Sequence, residues 1–238
     1  MAQDPCGLVE IEQEFAGFEH FIGSWVYRGD ITFVVDVGPA RSGGRFIRVL
    51  EGMGIDRLDY VLLTHIHLDH GGALAAVLER FPEARAVCHG RATEHLVDPT
   101  KLWEGSVEVL KDRAEAFGRP SGVSPDRLIP HTDARIEGLQ IVETPGHAAH
   151  HISFCYHGCL FVGEAAGNYY AFDGADYLRP ATPPRFFFET FLDSVDRLAA
   201  LEDQRVCYAH FGDASSSHEM LERFRLQIHR WKRIVEKE

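Results

Sequence analysis

The sequence lacks the positive charge that is typical of proteins that bind polyanions. Its 24 lysines and arginines stand against 36 aspartates and glutamates, which gives a formal net charge of −12 at pH 7. A field of that sign repels phosphate backbones and anionic lipid surfaces. No apolar run approaches the roughly 18 residues that span a bilayer. We therefore expect neither nucleic acid nor a membrane as a partner.

Signals for export and for thiol chemistry are also missing. The five cysteines form no CxxC pair, and their odd number is typical of reduced structural thiols. A disulfide between Cys155 and Cys159, which flank a short turn, is the alternative. Met1–Glu10 has neither the basic nor the apolar segment of a signal peptide. We expect a cytoplasmic protein with reduced cysteines.

The length of 238 residues and the hydrophobic fraction of 45% fit a single α/β domain covering 1–238. Strand patterns open each half of the chain and alternate with helical patterns, which predicts two sheets with helices outside. The pattern also predicts a strand at Arg135–Glu137 and a helical segment at 91–117 that breaks at Pro99 and Gly105. A long Gly/Pro-containing loop is expected at 165–184, and loops of that length are usually functional.

Histidine is abundant, and part of it is clustered. Of 14 histidines, three lie within the segment His65-Ile66-His67-Leu68-Asp69-His70, at the end of an apolar strand predicted for Asp59–Thr64. Alternate residues of an extended segment point the same way, so His65 and His67 can converge on one metal. Asp69 and His70 follow after the chain turns and can face a second metal. These ligand types suit zinc, and also iron or manganese.

Further candidate ligands each come directly after a strand-like run: His147, Glu164 and His210. Loops that follow buried strands open on one edge of a sheet, and α/β proteins place their sites there. The sequence therefore predicts that these residues belong to the same metal site as the histidine cluster.

Four motifs, in this order and spacing, resemble the metallo-β-lactamase superfamily over nearly the whole chain. They are Thr-His-Ile-His-Leu-Asp-His-Gly-Gly at 64–72, Thr-Pro-Gly-His at 144–147, Phe-Val-Gly-Glu at 161–164 and Tyr-Ala-His at 208–210. The resemblance implies an αββα sandwich, in which two mixed β-sheets are flanked by helices and a metal site lies along one edge.

The resemblance also implies which residues bind metal. The ligands of the first metal would be His65, His67 and His147, and those of the second would be Asp69, His70 and His210. Two more residues would support ligands through hydrogen bonds. These are Asp36, which resembles the family's acidic residue below the metals, and His151, which resembles the histidine four residues after the second motif. For Asp36, a strand-end turn residue is the alternative.

Glu164 departs from the family pattern, in which the bridging carboxylate at this position is usually Asp. The glutamate side chain is one methylene longer. It could bridge two metals, bind only one of them, or change the spacing between them. The identity of the metal and the second metal position depend on which of these holds.

The function implied by the resemblance is hydrolysis of an ester, thioester or lactone of a small molecule. Two divalent metal ions, zinc first among them, would share a water and supply a metal-bound hydroxide near neutral pH. Asp69 is the expected catalytic residue, orienting this nucleophile and taking part in proton transfer. The sequence has no GxSxG motif that would provide a different nucleophile.

Aromatic residues close to the last ligands are expected to line the substrate pocket. The candidates are Tyr169, Tyr170, Phe172 and Phe211. The expected partner is therefore a small-molecule substrate, and assembly into a homodimer stays open.

Two other functions also stay open. A mononuclear iron oxidoreductase of the persulfide dioxygenase type would use the same fold with two histidines and an aspartate, and Glu164 keeps this alternative open. A metal-stabilised binding protein would hold the ions without catalysis. Metal content and enzymatic activity would separate these functions.

Overall fold

A computed structural model describes residues 4–13, 19–172, 174–184 and 186–237. The chain divides into two compact units, Met1–Arg135 and Ile136–Glu238. Each unit has its own main sheet, and every described strand of a sheet comes from one unit.

The first unit contains a six-stranded sheet whose strands follow chain order. They are β1 (Cys6–Glu10), β2 (Gly23–Arg28), β3 (Thr32–Val35), β4 (Tyr60–Leu62), β5 (Arg85–Cys88) and β6 (Leu128–Pro130). The first three form an antiparallel meander, whereas β3 to β6 run parallel. Parallel strands need long crossover connections, and helices provide them here.

The helices of the first unit lie between its parallel strands. They are α1 (Gly43–Gly52), α2 (Leu68–Gly71), α3 (Leu74–Arg80), α4 (Thr93–Val97), α5 (Thr100–Leu110) and α6 (Asp112–Phe117). In α1, Phe46 and Leu50 are four residues apart and both are buried. In α3, Leu74, Val77 and Leu78 are buried at the same kind of spacing. Each of these helices therefore presents one apolar stripe to the core of the unit.

The second unit contains a five-stranded mixed sheet. In spatial order its strands are β13 (Gly212–Ala214), β12 (Arg205–Tyr208), β9 (Cys159–Gly163), β8 (Ile152–Tyr156) and β7 (Gln140–Glu143). A separate antiparallel hairpin joins β10 (Asn168–Phe172) and β11 (Ala175–Arg179). The helices are α7 (Phe188–Ala199) and α8 (Ser217–Val235).

The core of the second unit forms where α7 and α8 meet strand residues. Leu160 and Val162 of β9 belong to it, together with Phe191 of α7 and Phe224 of α8. The rings of Phe191 and Phe224 are 5.5 Å apart between centroids and tilted by 40°. Aromatic pairs at such separations add to the stabilisation that burial provides.

The prediction of a long loop at 165–184 is wrong, because β10 and β11 form a hairpin there. Tyr169 and Leu178 are cross-strand partners, and both are buried in the core of the second unit. The second strand, Ala175–Arg179, has one buried residue, Leu178, and no apolar run, so the signal for a hairpin was weak.

Other local predictions also differ from the structure. The strand expected at Arg135–Glu137 is wrong; this segment leads into a turn in which Leu139 N donates to Ile136 O. The break at Pro99 is confirmed, but the break at Gly105 is wrong, since α5 continues through it. One glycine costs a helix only about 1 kcal/mol. The chain breaks instead at Lys111, where φ is +53°.

All five cysteines are described, all are buried, and none forms a disulfide. The alternative bond between Cys155 and Cys159 is therefore not formed. Burial raises the pKa of the Cys88 thiol to about 12 and that of Cys155 to about 11. Thiols of such high pKa carry almost no thiolate at neutral pH.

None of the helices described here is long and apolar enough to cross a membrane.

Two residues of α8 provide a matched test of the second core. Phe224 is fully buried, whereas Leu226, two residues along, is 63% exposed. We expect Phe224→Ala to lower the free energy of unfolding by about 3–5 kcal/mol, because it leaves a cavity. Leu226→Ala should stay within about 0.5 kcal/mol of the wild type. Urea denaturation followed by circular dichroism measures both, and equal losses would contradict this description of the core.

Candidate functional site

In the first unit, the histidine cluster follows the carboxyl end of β4. Strands β3 and β4 are parallel, with Val35 opposite Leu62. The chain therefore leaves both strands at the same edge of the sheet, and Asp36 N donates to Leu62 O at 2.9 Å. This pairing brings Asp36 close to Thr64, although 27 residues separate them in sequence.

His65, His67, Asp69 and His70 form what we call the first donor cluster. The two leading histidines precede α2, which begins directly after His67; Asp69 and His70 lie within α2. The His67 carbonyl accepts from the backbone N–H of His70 at 2.9 Å. The turn requires Gly72, because a Cβ at that residue would lie 2.7 Å from the backbone nitrogen of Ala40.

Asp36 is a buried carboxylate, with both oxygens occupied by donors. Oδ1 accepts from Thr64 N at 2.8 Å, and Oδ2 accepts from Thr64 Oγ1 at 2.8 Å. The Nδ1 atom of His70 lies 2.8 Å from the same Oδ2. A buried carboxylate without such donors would be very costly, so these bonds are what permit it here. The backbone of Asp36 has φ +59°, a conformation that aspartate tolerates better than most residues.

This network sets the tautomers of two histidines. Nδ1 of His70 faces a carboxylate and must carry the ring proton, which places the lone pair on Nε2. Thr64 Oγ1 donates to Asp36 and therefore accepts from Nδ1 of His65, 3.1 Å away. His65 likewise has its lone pair on Nε2. A protein that fixes Nδ1 in this way presents Nε2 as a metal ligand.

The two leading histidines of the first donor cluster are close enough to bind one ion. Nε2 of His65 lies 3.0 Å from Nδ1 of His67. Two ligand atoms on one zinc, each about 2.1 Å from it, can be at most about 4.2 Å apart. The rings of His65 and His70 are 4.0 Å apart between centroids. Asp69, in the first turn of α2, is half-buried.

In the second unit, His147, Glu164 and His210 form the second donor cluster. Strands β9 and β12 are parallel, with Gly163 opposite Tyr208, so Glu164 and His210 leave the sheet at the same edge. Strand β8 is antiparallel to both β7 and β9, which brings the end of β7 to that edge as well. His147 follows β7 there.

The two oxygens of Glu164 face different imidazoles. Oε2 lies 2.7 Å from Nε2 of His147, and Oε1 lies 3.9 Å from Nε2 of His210. Both separations are below the limit of about 4.2 Å for two ligands of one zinc. Nδ1 of His147 donates to the carbonyl of Ala181 at 3.1 Å, so Nε2 is the ring nitrogen that is directed at Glu164. The donor types and separations of this cluster fit a divalent metal.

His151 uses both ring nitrogens within the protein. Nδ1 lies 2.8 Å from Thr144 Oγ1, and Nε2 accepts from the backbone N–H of Glu164 at 3.1 Å. Both atoms are committed, so His151 is a support and not a ligand in this structure. It joins the start of the loop that carries His147 to the backbone of Glu164.

Asn168, the first residue of β10, was not foreseen from the sequence. Its Nδ2 donates to Oε1 of Glu164 at 3.0 Å. The neighbouring residue, Tyr169, ties His210 into place: Tyr169 N donates to the His210 carbonyl, and Phe211 N donates to the Tyr169 carbonyl. The available signal was the pair of glycines, Gly163 and Gly167, that flank Glu164 and allow a tight turn.

The four residues expected in the substrate pocket have different environments. Tyr169 is 8% exposed, and its ring stacks on Tyr208 with centroids 5.2 Å apart. Tyr170 and Phe211 are half-buried. The side chain of Phe172 lies outside the described residues. The pocket role stays a prediction for all four. Because Tyr169 packs in the core, the other three are the better candidates for contact with a substrate.

An ion pair anchors the hairpin that carries Asn168. Asp176 of β11 accepts two hydrogen bonds from Arg223 of α8, at 2.7 and 2.8 Å. The Tyr169 hydroxyl donates to Asp176 at 3.3 Å. Burial, and then the charge of Asp176, raise the pKa of Tyr169, so this phenol stays protonated at neutral pH.

Comparison with known proteins identifies the family. Residues 20–210 match the profile of the metallo-beta-lactamase superfamily, and the chain belongs to that superfamily. Two mixed sheets flanked by helices are the α/β sandwich of this fold, so the fold predicted from the sequence is confirmed. The family supports a metal-dependent hydrolase, and the candidate His and Glu ligands imply divalent metals.

Individual relatives are distant but extensive. The metallo-beta-lactamase fold-containing protein ST1585 of Sulfurisphaera tokodaii is 29% identical over 224 residues, which cover 87% of this chain and 80% of that protein. The crystal structure of ST1585 superposes on this chain with a TM-score of 0.74, and the match covers 91% of this chain and 84% of that one. A hydroxyacylglutathione hydrolase of Aeromonas salmonicida is 30% identical over 77% of this chain. The match covers only 58% of that enzyme's length.

Asp36→Asn tests whether the buried network prepares the first donor cluster. The amide places an N–H group against Thr64 or His70, so a donor faces a donor and the His70 tautomer is no longer fixed. We expect zinc affinity to fall about 10–100-fold and the free energy of unfolding to fall by about 1–3 kcal/mol. Competition with a chromophoric chelator measures the affinity.

The matched control is Asp59→Asn. Asp59 lies in the same unit, and its carboxylate accepts a hydrogen bond from the backbone N–H of Thr32, which is not a candidate ligand. Its zinc affinity should equal that of the wild type. Wild-type affinity in Asp36→Asn would show that the network does not orient the ligands.

Proposed function

We propose that this metallo-β-lactamase superfamily protein is a binuclear metal-dependent hydrolase that cleaves an ester, thioester or lactone of a small molecule. One observation carries the proposal: three imidazoles have Nδ1 held by the protein, so each presents Nε2. Asp36 holds His70 directly and His65 through Thr64, and the Ala181 carbonyl holds His147. Metal-binding histidines almost always have their other ring nitrogen held by a carboxylate, a carbonyl or another such group, and all three of these histidines do.

The proposed ligands come from both donor clusters. His65, His67 and His147 would hold one ion and Asp69, His70 and His210 the other, and Glu164 would be available to both. The bridging role of Glu164 is supported by its two oxygens, which face His147 and His210 separately. The longer glutamate side chain can therefore take the place of the family's usual aspartate. Zinc is the proposed metal, since imidazole and carboxylate ligands suit it.

The chemistry of the reaction is divided between the ions and the chain. When bound, divalent ions would supply a water of lowered pKa and an electrophile for a carbonyl oxygen. Asp69 orients the attacking water through its carboxylate and accepts a proton from it. Glu164 and the histidines hold their positions through the bonds described above, so little reorganisation is needed during the reaction. Tyr170 and Phe211 are proposed to contact the apolar part of the substrate.

The substrate class draws support from the relatives. The name of the hydroxyacylglutathione hydrolases describes cleavage of an acyl–glutathione bond, which is a thioester. The chain spans little more than half of those enzymes, so glutathione itself does not carry over. The net charge of −12 disfavours strongly anionic substrates away from the ions. We therefore propose a small, partly apolar acyl compound.

Asp69→Ala tests the catalytic role. We expect hydrolysis of a panel of p-nitrophenyl esters, acyl thioesters and lactones to be abolished, because the group that orients the water is lost. The circular dichroism spectrum should not change. Asp133→Ala, at an exposed aspartate of the same unit, is the control and should keep full activity. Full activity in Asp69→Ala would contradict the mechanism.

Metal content tests the binuclear centre. Inductively coupled plasma mass spectrometry should find two zinc ions per chain, and chelation should remove activity that zinc restores. One iron per chain with thiol-dependent oxygen uptake would replace the proposal with an oxidoreductase of the persulfide dioxygenase type. Metal-loaded protein that is inactive on the whole panel would indicate a binding protein.

A further inference from the structure

The segment after Glu164 is a tight turn that brings residue 168 back to it. Gly167 N donates to the Glu164 carbonyl at 3.1 Å. Gly163 and Gly167 have φ of +53° and +82°, which side chains rarely adopt. A Cβ on Gly167 would also lie 2.7 Å from the ring of Phe224. Only glycine fits at residue 167, and this turn therefore fixes the position of the Asn168 backbone.

Asn168 is 2% exposed, and the nitrogen end of its side chain has a partner. Nδ2 donates to Oε1 of Glu164 at 3.0 Å. The carboxylate accepts only, so the nitrogen end of the amide must face it. The other end is different: among the described residues, Oδ1 is buried and has no hydrogen-bond partner. A buried carbonyl without a donor lowers stability, so folding alone does not explain an asparagine at this position.

Glu164 is held at two points by neutral groups. Its backbone N–H donates to His151, and its Oε1 accepts from Asn168. Oε2 is then left beside Nε2 of His147, 2.7 Å away. A carboxylate oxygen has two lone pairs, so the amide takes one position on Oε1 and leaves the other available. A glutamate has more rotatable bonds than an aspartate, and fixing it costs more conformational entropy.

We propose that Asn168 is the positioning residue of Glu164: its amide fixes Oε1 and so presets the longer carboxylate for metal binding. The ligand role of Glu164 in this statement rests on the proposed function. Asn168 would act through Glu164, to which its amide is hydrogen-bonded. Its buried Oδ1 is the cost in stability of placing an amide donor at this point.

A spectroscopic test is available because Asn168 is the only asparagine in the chain. Protein labelled with [¹⁵N]asparagine has one side-chain amide, whose two protons report on this residue alone. In metal-free wild type we expect slow hydrogen exchange for the Asn168 amide proton that is hydrogen-bonded to Glu164. Zinc chloride should shift both signals, and Glu164→Ala should shift them and speed the exchange. Glu83→Ala, an exposed glutamate in the first unit, should leave them unchanged.

Zinc affinity then separates positioning from a structural role. We expect Asn168→Leu, which is close to asparagine in size, to weaken zinc binding about 10–100-fold. The Tm of the metal-free protein should change little, since the removal of an unsatisfied carbonyl offsets the loss of the hydrogen bond to Glu164. In the Glu164→Ala background, the same substitution should have no further effect on zinc. Equal effects in both backgrounds, or a lower metal-free Tm with normal zinc affinity, would overturn the proposal.

The remaining outcomes distinguish this proposal from the function on which it rests. One outcome is that Glu164→Ala weakens zinc binding, that Asn168→Leu does not, and that zinc leaves the amide signals unchanged. In that case Asn168 does not position Glu164, and the proposed function stands. If Glu164→Ala binds zinc as the wild type does, Glu164 is not a ligand and both proposals fail. The amide signals of the wild type decide the matter even if Asn168→Leu does not fold.

Discussion

The buried carboxylate of Asp36 is the constraint on which the first donor cluster depends. A charge in this position is stable only where donors surround it, and Thr64 and His70 are those donors. Satisfying the carboxylate decides which ring nitrogen of His65 and His70 carries a proton. The parallel pairing of β3 and β4 supplies the geometry, since it delivers Asp36 and the cluster to one edge. Sheet register and ring chemistry are thus linked through one side chain.

The second unit solves the same problem with neutral groups. Glu164 emerges beside His210 because β9 and β12 are parallel. Its backbone is held by His151 and its carboxylate by Asn168, whereas the first unit uses a charged aspartate as the support. Neutral donors hold an anion without cancelling its charge, so the carboxylate keeps its attraction for a cation. The two supports differ as their tasks require: one orients imidazoles, and the other orients a carboxylate.

The sequence was most informative where function depends on local spacing. His65, His67, Asp69 and His70 lie within six residues, so the periodicity of a strand and a turn was enough to group them. Their supports were harder to find, because Asp36 reaches Thr64 only through strand pairing. Asn168 could not be inferred, since its role depends on a hairpin whose buried pair, Tyr169 and Leu178, is formed across strands. Gly105 shows the converse limit: a local signal predicted a break that the surrounding helix overrides.

The ion pair between Arg223 and Asp176 has a consequence for motion. It joins α8 to the hairpin whose first strand carries Asn168 and whose backbone secures His210. Gly167 is also packed against Phe224 of the same helix. Segments tied at several points tend to open together as one cooperative unit. We therefore expect α8 and the second donor cluster to loosen together, so that sequence changes in α8 could weaken the cluster without altering a candidate ligand.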